Sequence, residues 1–155
     1  MAPDTVFFSH ETYTPARGGS AQSEVKALRE TFGESTNKLV IANTKGFTGH
    51  PMAVGIEDAS MFYGLLTGRI PPIANHKEKD PELGDLNPST GGDYPSLKYG
   101  LCFAAGFGSQ IALSLMKKWP VKPLVLAMTN LLVDPPKVSR KALTSDWAEP
   151  PRAGV

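Results

Sequence analysis

The stretch Val6-Phe7-Phe8-Ser9-His10 is short, apolar and rich in β-forming residues, and it ends in two polar residues. It predicts a buried β-strand with His10 at its carboxyl end. Leu39-Val40-Ile41 predicts a second strand, and a loop with two glycines follows over 43–49. Ligand sites in α/β sheets lie at the carboxyl ends of the strands. We therefore expect His10 and the 45–50 loop to share one edge of a sheet.

Apolar residues at helical spacing predict one helix between these strands and one after them. The first begins at Ser20, a suitable N-cap, and ends at Gly33; its apolar positions are Val25, Leu28 and Phe32. Pro51 suits the first turn of the second helix, which Gly68 ends. Its predicted apolar stripe consists of Met52, Ile56, Ala59, Phe62 (or Tyr63) and Leu66.

The rest of the first 118 residues predicts a long loop and a hairpin. Residues 71–98 are rich in proline and polar turn residues, which is typical of a functional loop or a wrapping segment. Tyr99–Ala105 and Ile111–Met116 predict two antiparallel strands that a Gly106-Phe107-Gly108 turn connects. The order β-α-β-α followed by a β-β pair predicts an α/β fold: a mixed sheet with covering helices.

Length and composition limit the domain organisation. The chain has 155 residues, of which 41% are hydrophobic, enough for one domain with a core. After Trp119 the chain is punctuated by prolines around one apolar run, Leu124–Val133. We expect a domain over 1–118 and a Pro-rich docked extension or linker over 119–155.

Charge, cysteine count and hydropathy exclude several functional classes. The formal net charge of +1 argues against nucleic acid as a partner. A single cysteine excludes an intramolecular disulfide framework and a multi-cysteine zinc site. No apolar run is long enough for a membrane span, and the N-terminus does not resemble a secretory signal. A cytoplasmic protein is the default expectation.

Two histidines are the main candidates for chemistry. The positive end of the predicted helix after His50 disfavours imidazolium, and a neutral imidazole can donate a hydrogen bond to a developing oxyanion. A second donor, His10, would complete a two-donor site. Helix capping by His50 and surface pairing of His10 with Glu11 are the structural alternatives. Lys45 could orient the site or be a solvated lysine, and Glu24 is a candidate buried partner for it.

The other candidate groups favour structural roles. Three histidines without short ligand spacing make zinc unlikely, so we expect no metal. The Gly106-Phe107-Gly108 turn lacks the features of a phosphate loop. It is better interpreted as a tight turn close to a ligand, with Phe107 as a lid. Cys102 lies in an apolar run and is expected to be a buried, inert thiol.

These residues together resemble the C-terminal half of a β-ketoacyl synthase, a condensing enzyme of the thiolase superfamily. The similarity spans about residues 5–116 and rests on five segments in the family's order. They are His10-Glu-Thr-Tyr-Thr14-Pro, Glu24, Lys45-Gly-Phe-Thr-Gly-His50, Arg69-Ile-Pro-Pro-Ile and Gly106-Phe107-Gly108. The resemblance implies a thiolase-like half as the fold. Glu11 and Tyr13 stand where the family motif has glycines, and the stretch from His10 to Glu24 is about three residues longer than usual.

The resemblance also implies roles for the site residues. His10 and His50 would be the oxyanion-binding pair, and Lys45 would orient the site, with Glu24 as its partner. Thr12 and Thr14 match the supporting threonines of the first motif. Phe107, between Gly106 and Gly108, would gate substrate entry. No cofactor is implied.

The family's nucleophilic cysteine lies upstream of all these motifs, so the resemblance implies a Cys-bearing N-terminal half or subunit as partner. The complete acyltransferase would perform decarboxylative Claisen condensation of acyl and malonyl thioesters in fatty acid or polyketide biosynthesis. Acyl carrier protein or coenzyme A would present these thioesters, and a dimer or larger assembly is expected. This chain would be inactive alone. The alternatives are a non-catalytic scaffold or chain-length partner, and a thiolase-type enzyme that uses Cys102 as base.

Overall fold

A mixed five-stranded sheet is the centre of the structure, a computed structural model that describes residues 1–11, 20–49, 55–106 and 110–119. The strands are β1 (Thr5–Phe8), β2 (Val40–Ala42), β3 (Arg69–Pro72), β4 (Asn87–Pro88), β5 (Thr90–Asp93), β6 (Tyr99–Gly106) and β7 (Gln110–Lys117). The α-helices are α1 (Ser20–Phe32), α2 (Lys45–Thr48) and α3 (Gly55–Thr67), and 3-10 helices span Ala2–Asp4, Gly33–Lys38 and Pro81–Leu83.

The order of strands in this sheet is β4-β2-β1-β6-β7. Strand β1 lies between β2 and β6 and is parallel to both, and β4 is parallel to β2. Strands β6 and β7 form the antiparallel pair that the sequence predicts, in register from Tyr99 opposite Lys117 to Gly106 opposite Gln110. The α/β class and the mixed sheet with covering helices are therefore confirmed.

Each face of the sheet has its own apolar cluster. Alternate residues of β1 belong to opposite clusters, as a strand requires. Val6 and Phe8 pack with Met61 and Leu65 of α3, whereas Phe7 packs with Leu28 of α1. Helices α1 and α3 thus cover opposite faces.

The helices end where the sequence predicts, next to glycines. The buried face of α3, however, differs from the predicted apolar stripe. Helix α1 ends before Gly33 and α3 ends before Gly68; both glycines have a positive φ, which favours glycine. In α3 the buried residues are Glu57, Met61, Gly64 and Leu65. The predicted stripe was wrong by about one position, and Ile56 and Phe62 are 45% and 59% exposed. Both sides of α3 bear apolar residues, so periodicity alone does not identify the buried one.

Two segments predicted as loops contain regular structure. The 71–98 segment includes β4 and β5, and β5 pairs antiparallel with β3 in a separate two-stranded sheet. Strands of two to four residues are too short to show alternation, so the loop prediction was wrong here. Residues 45–48 form the single helical turn α2 within the predicted 43–49 loop.

No helix among the described residues is long and apolar enough to cross a membrane. The predicted division at residues 118 and 119 stays a prediction.

Candidate functional site

The carboxyl ends of β1 and β2 form the candidate site. The strands run parallel with Phe8 opposite Ala42, so the residues after them emerge side by side. The Ser9 N–H donates to the Ala42 carbonyl at 2.9 Å, which extends the pairing by one residue. The Asn43 Nδ2 donates to the Glu11 carbonyl at 2.8 Å, and Oδ1 of the same side chain accepts from the Lys45 N–H at 2.8 Å. Asn43 therefore joins the chain after His10 to the chain at Lys45.

Glu24 on α1 holds the backbone at His10. Its Oε1 accepts from the His10 N–H at 3.0 Å, and its Oε2 accepts from the Ser9 hydroxyl at 2.7 Å. The half-buried imidazole of His10 lies edge-on to the Phe103 ring, with 6.1 Å between ring centroids. Glu24 thus positions His10 through the main chain.

The Glu24 carboxyl has an unusual proton affinity. Burial raises its pKa from 4.5 to about 7, although the hydrogen bonds from Ser9 and His10 act in the opposite direction. The negative charge of Glu11 raises the pKa further, and the positive charge of Lys45 lowers it. Glu24 can therefore change its protonation state near neutral pH.

Lys45 is buried and forms an ion pair. It is 6% exposed, and its Nζ lies 3.1 Å from Glu57 Oε1, with both side chains 4% exposed. The ion-pair partner of Lys45 is thus Glu57, whereas Glu24 interacts with Lys45 only through its charge. Glu24 is hydrogen-bonded to Ser9 and His10, and the first turn of α3 brings Glu57 to the lysine.

Glu57 was not among the predicted site residues, although its spacing along α3 indicates a buried position. Glu57, Met61 and Leu65 follow each other at intervals of four and all three are buried. An acidic residue in line with the buried positions of a helix is a candidate for a buried ion pair. Ser9 and Asn43 were also missed, since short polar residues after a strand are equally common in plain turns.

Cys102 lies on the α3 face and is 4% exposed. Burial raises the pKa of its thiol to about 12, and the Asp58 carboxylate acts in the same direction through its charge and a hydrogen bond. A thiol in this environment is protonated at neutral pH, as the expectation of a buried, inert cysteine requires.

Several predicted site residues lie outside the described residues: His50, Thr12, Thr14, Phe107 and Gly108. Gly106 is the last residue of β6. The described parts of the chain contain no group of three His, Cys, Asp or Glu residues that could hold a metal ion.

A cavity of about 590 Å³ opens beside the same strand ends, on the α1 side of the sheet. Ser9, Glu24 and Asn43 are among its polar lining residues, and Leu28 and Ile41 are among its apolar ones.

Known proteins resemble this chain in both sequence and fold. No family model matches it. The 3-oxoacyl-[acyl-carrier-protein] synthase 2 of Staphylococcus aureus strain COL is 31% identical over 114 residues, which are 72% of this chain and 27% of that protein. The enzyme of the same name from Synechocystis is 28% identical over 86 residues, 53% of this chain and 20% of that protein.

A solved structure has the same fold. It is described as a type II PKS acyl-carrier protein in complex with its ketosynthase bound to the hexaketide. The TM-score is 0.66 at 25% identity, and the match covers 77% of this chain and 29% of that one. This chain therefore spans only about a quarter of the length of the curated relatives it matches.

The mixed sheet and its two helix layers, together with the match to a ketosynthase structure, are those of a thiolase-like half. More specifically, the chain is a relative of the β-ketoacyl synthases, and it corresponds to the C-terminal part of that fold.

Proposed function

We propose that this chain supplies the oxyanion-binding part of a β-ketoacyl synthase that performs decarboxylative Claisen condensation in fatty acid or polyketide synthesis. The observation that carries the proposal is the meeting of His10 and Lys45 at the ends of two adjacent parallel strands. A hydrogen-bond network through Glu24 and Asn43 links the two segments. The relatives of known activity share this part of the fold.

The chemistry needs a donor for a developing oxyanion. When a malonyl thioester loses carbon dioxide, the electron pair of the broken C–C bond moves into an enolate, whose oxygen becomes negative. The enolate carbon then attacks an acyl-cysteine, and the cysteine leaves as thiolate when the C–S bond breaks. Imidazole N–H groups stabilise the enolate oxygen without a metal. We assign this role to His10 and, by its place in the family motif, to His50.

Lys45 and Glu57 would orient the site. Their buried pair joins the residues after β2 to the first turn of α3, between which His50 lies in the sequence. The two opposite charges cancel, so the pair adds no net charge to the site. Phe107 would gate entry, as the resemblance implies.

The proposed partners follow from the family resemblance and from the environment of Cys102. A Cys-bearing half would supply the nucleophile, since Cys102 is buried and its high pKa leaves little thiolate. Acyl carrier protein would deliver the substrates, as in the solved ketosynthase complex. The alternative that Cys102 acts as a thiolase base has less support, because its sulfur packs in the α3-side core.

The test is reconstitution with a defined second half. The full chain would be co-expressed with the N-terminal part of the S. aureus synthase that lies outside the 114 matched residues, and release of carbon dioxide from malonyl-acyl carrier protein would be measured. We expect activity that His10→Ala lowers by about 100- to 1000-fold. Lys38→Ala, which changes an exposed side chain that does not line the cavity, is the control and should retain full rate. An inactive wild-type complex would support the scaffold alternative instead, and an undiminished rate in His10→Ala would exclude the oxyanion role.

A further inference from the structure

Asn43 directly follows β2 at the candidate site, and it is only 2% exposed. Burial of an amide side chain costs free energy unless its polar atoms form hydrogen bonds. The Asn43 Nδ2 donates to the Glu11 carbonyl at 2.8 Å and, at a longer 3.4 Å, to the Ser9 carbonyl. The Oδ1 atom accepts from the Lys45 N–H at 2.8 Å. Both ends of the amide are therefore used, and they bind two different segments of the chain.

The bond to Lys45 is local and shapes the chain after β2. An asparagine whose side-chain oxygen accepts from the N–H two residues later forms an Asx turn. The bonded N–H belongs to the first residue of α2 and has no acceptor inside that helix. The N-cap residue Thr44 makes no side-chain hydrogen bond of this kind. Asn43 thus sets the start of α2, from which Lys45 reaches its buried partner Glu57.

The bond to Glu11 is long-range, since Asn43 and Glu11 are 32 residues apart in the sequence. Glu24 holds the N–H of His10 at 3.0 Å, and Asn43 holds the carbonyl of the next residue. The main chain is therefore anchored on both sides of His10. With these anchors in place, the imidazole moves only by rotation about its own two side-chain torsions, and Phe103 lies edge-on against it.

A single buried side chain thus spans the two segments that carry the proposed oxyanion donors. The His10 segment follows β1, and the Lys45 segment follows β2 and leads to His50 in the sequence. Preorganised donors stabilise an oxyanion only when they lie about 2.7–3.1 Å from the place where the oxygen becomes negative. A change away from the reacting atoms that displaces a group by about 1 Å can lower the rate about 100-fold. Relative movement of the two segments would therefore slow the reaction.

We propose that Asn43 is a positioning residue for the condensation: its bond to the Glu11 carbonyl holds His10 at a fixed place relative to the Lys45 segment. This inference rests on the proposed function. Asn43 acts through the main chain, because its three hydrogen bonds all go to backbone groups. Loss of the bond to Glu11 should therefore lower the rate of decarboxylation and leave the affinity for the malonyl thioester unchanged.

Asn43→Asp isolates the long-range bond, because the two side chains have the same shape. The carboxylate can still accept from the Lys45 N–H, but its second oxygen would face the Glu11 carbonyl with no proton to donate. Asn43→Ser is a second, neutral variant, whose hydroxyl can form the turn to the Lys45 N–H but is too short to reach Glu11 as well. Asn37→Asp makes the same chemical change at an exposed residue that does not line the cavity, and it is the matched control.

The experiment uses the full chain in complex with the same S. aureus N-terminal part, and it measures kcat and KM for release of carbon dioxide from malonyl-acyl carrier protein. We expect Asn43→Asp and Asn43→Ser to lower kcat about 10- to 100-fold, with KM within about twofold of wild type. Asn37→Asp should keep both constants. Circular dichroism and light scattering measure how much of each variant is folded and in complex, so that kcat refers to the intact complex.

A double variant tests whether Asn43 acts through His10. In His10→Ala the donor is already absent, so the addition of Asn43→Asp should lower kcat by less than about twofold more. The effects of residues that act through one another are not additive in free energy. If Asn43 served only the stability of the fold, its variants would lower the amount of folded complex and leave the kcat of that complex unchanged.

The outcomes separate this inference from the proposed function. An active wild-type complex that His10→Ala impairs, but in which both Asn43 variants keep full kcat, overturns the positioning role and leaves the function standing. The positioning role is equally overturned if the losses of His10→Ala and Asn43→Asp multiply in the double variant, or if the Asn43 variants lower only the amount of folded complex. An inactive wild-type complex, or full rate in His10→Ala, overturns the proposed function and this inference with it.

Discussion

Lys45 forms a buried ion pair whose net contribution to stability is small. Removing an ammonium and a carboxylate from water costs several kcal/mol for each ion, and their mutual attraction offsets this only with good geometry. The Lys45–Glu57 pair is almost fully buried at 3.1 Å. Such a pair adds little net stability compared with apolar residues, but losing one partner leaves a buried charge. Its placement at the strand ends is consistent with a role in orienting the site.

Breaking this pair should destabilise the chain strongly. We expect Lys45→Met to lower the free energy of unfolding by about 3–5 kcal/mol, because Glu57 stays buried without a cation. The double variant Lys45→Met/Glu57→Leu should recover most of this loss. Lys98→Met is the control: its pair with Asp4 is more exposed, and such pairs contribute about 0–1 kcal/mol. Urea unfolding measures the free energy of unfolding of the three variants. Equal losses for Lys45→Met and Lys98→Met would contradict a buried, uncompensated charge at Glu57.

Glu24 should make stability depend on pH. Its folded pKa of about 7 lies above the value of 4.5 for an unperturbed carboxyl, so between these values the folded state binds more protons. Stability from this group is therefore complete below about pH 4.5 and falls by about 3 kcal/mol as pH rises through 7. Glu24→Gln should remove this fall, which urea unfolding between about pH 5 and pH 8 would detect. A variant with the same pH dependence as wild type would show that Glu24 ionises normally.

At the scale of elements, the contact between β6 and α3 determines how the helix sits on the sheet. Gly100 lies directly beneath Met61, and a Cβ atom there would come within 2.6 Å of the Met61 Cγ and Sδ atoms. Met61 is fully buried and so has little room to move.

Gly100→Ala should therefore destabilise the chain by about 1–3 kcal/mol through overpacking. Gly106→Ala is a matched control in the same strand, because its Cβ would meet only Gln110 atoms at 3.8 Å or more. Thermal unfolding should show a lower midpoint for the first variant and a nearly unchanged one for the second. Equal midpoints would mean that α3 shifts to accommodate the methyl group at no cost.

At the scale of the whole molecule, the described part of the chain has apolar surface on both sides. Ile56 and Phe62 are exposed on α3, and Ile111, Leu113 and Leu115 of β7 are exposed on the other face of the sheet. A domain that completes its own core seldom leaves both outer layers apolar. This distribution agrees with the match to only about a quarter of the length of the synthases.

The elements that local sequence predicts are those with a strong internal period. Strands β1, β2, β6 and β7 and helix α1 have clear apolar runs or stripes, and the structure confirms each within one or two residues. The candidate residues His10 and Lys45 could be located because each follows a predicted strand. The face of α3 and the short strands of residues 71–98 could not be predicted, since their patterns are ambiguous or too short.

The sequence by itself determined the α/β class, the order of the long elements and the family resemblance, because these depend on periodicity and on motif order along the chain. Only the tertiary structure decided that Glu57 pairs with Lys45, that Glu24 holds the backbone of His10, and that one apolar face of β7 is exposed. Each of these depends on contacts between segments distant in sequence, where side-chain burial is set by the packing of helices on the sheet.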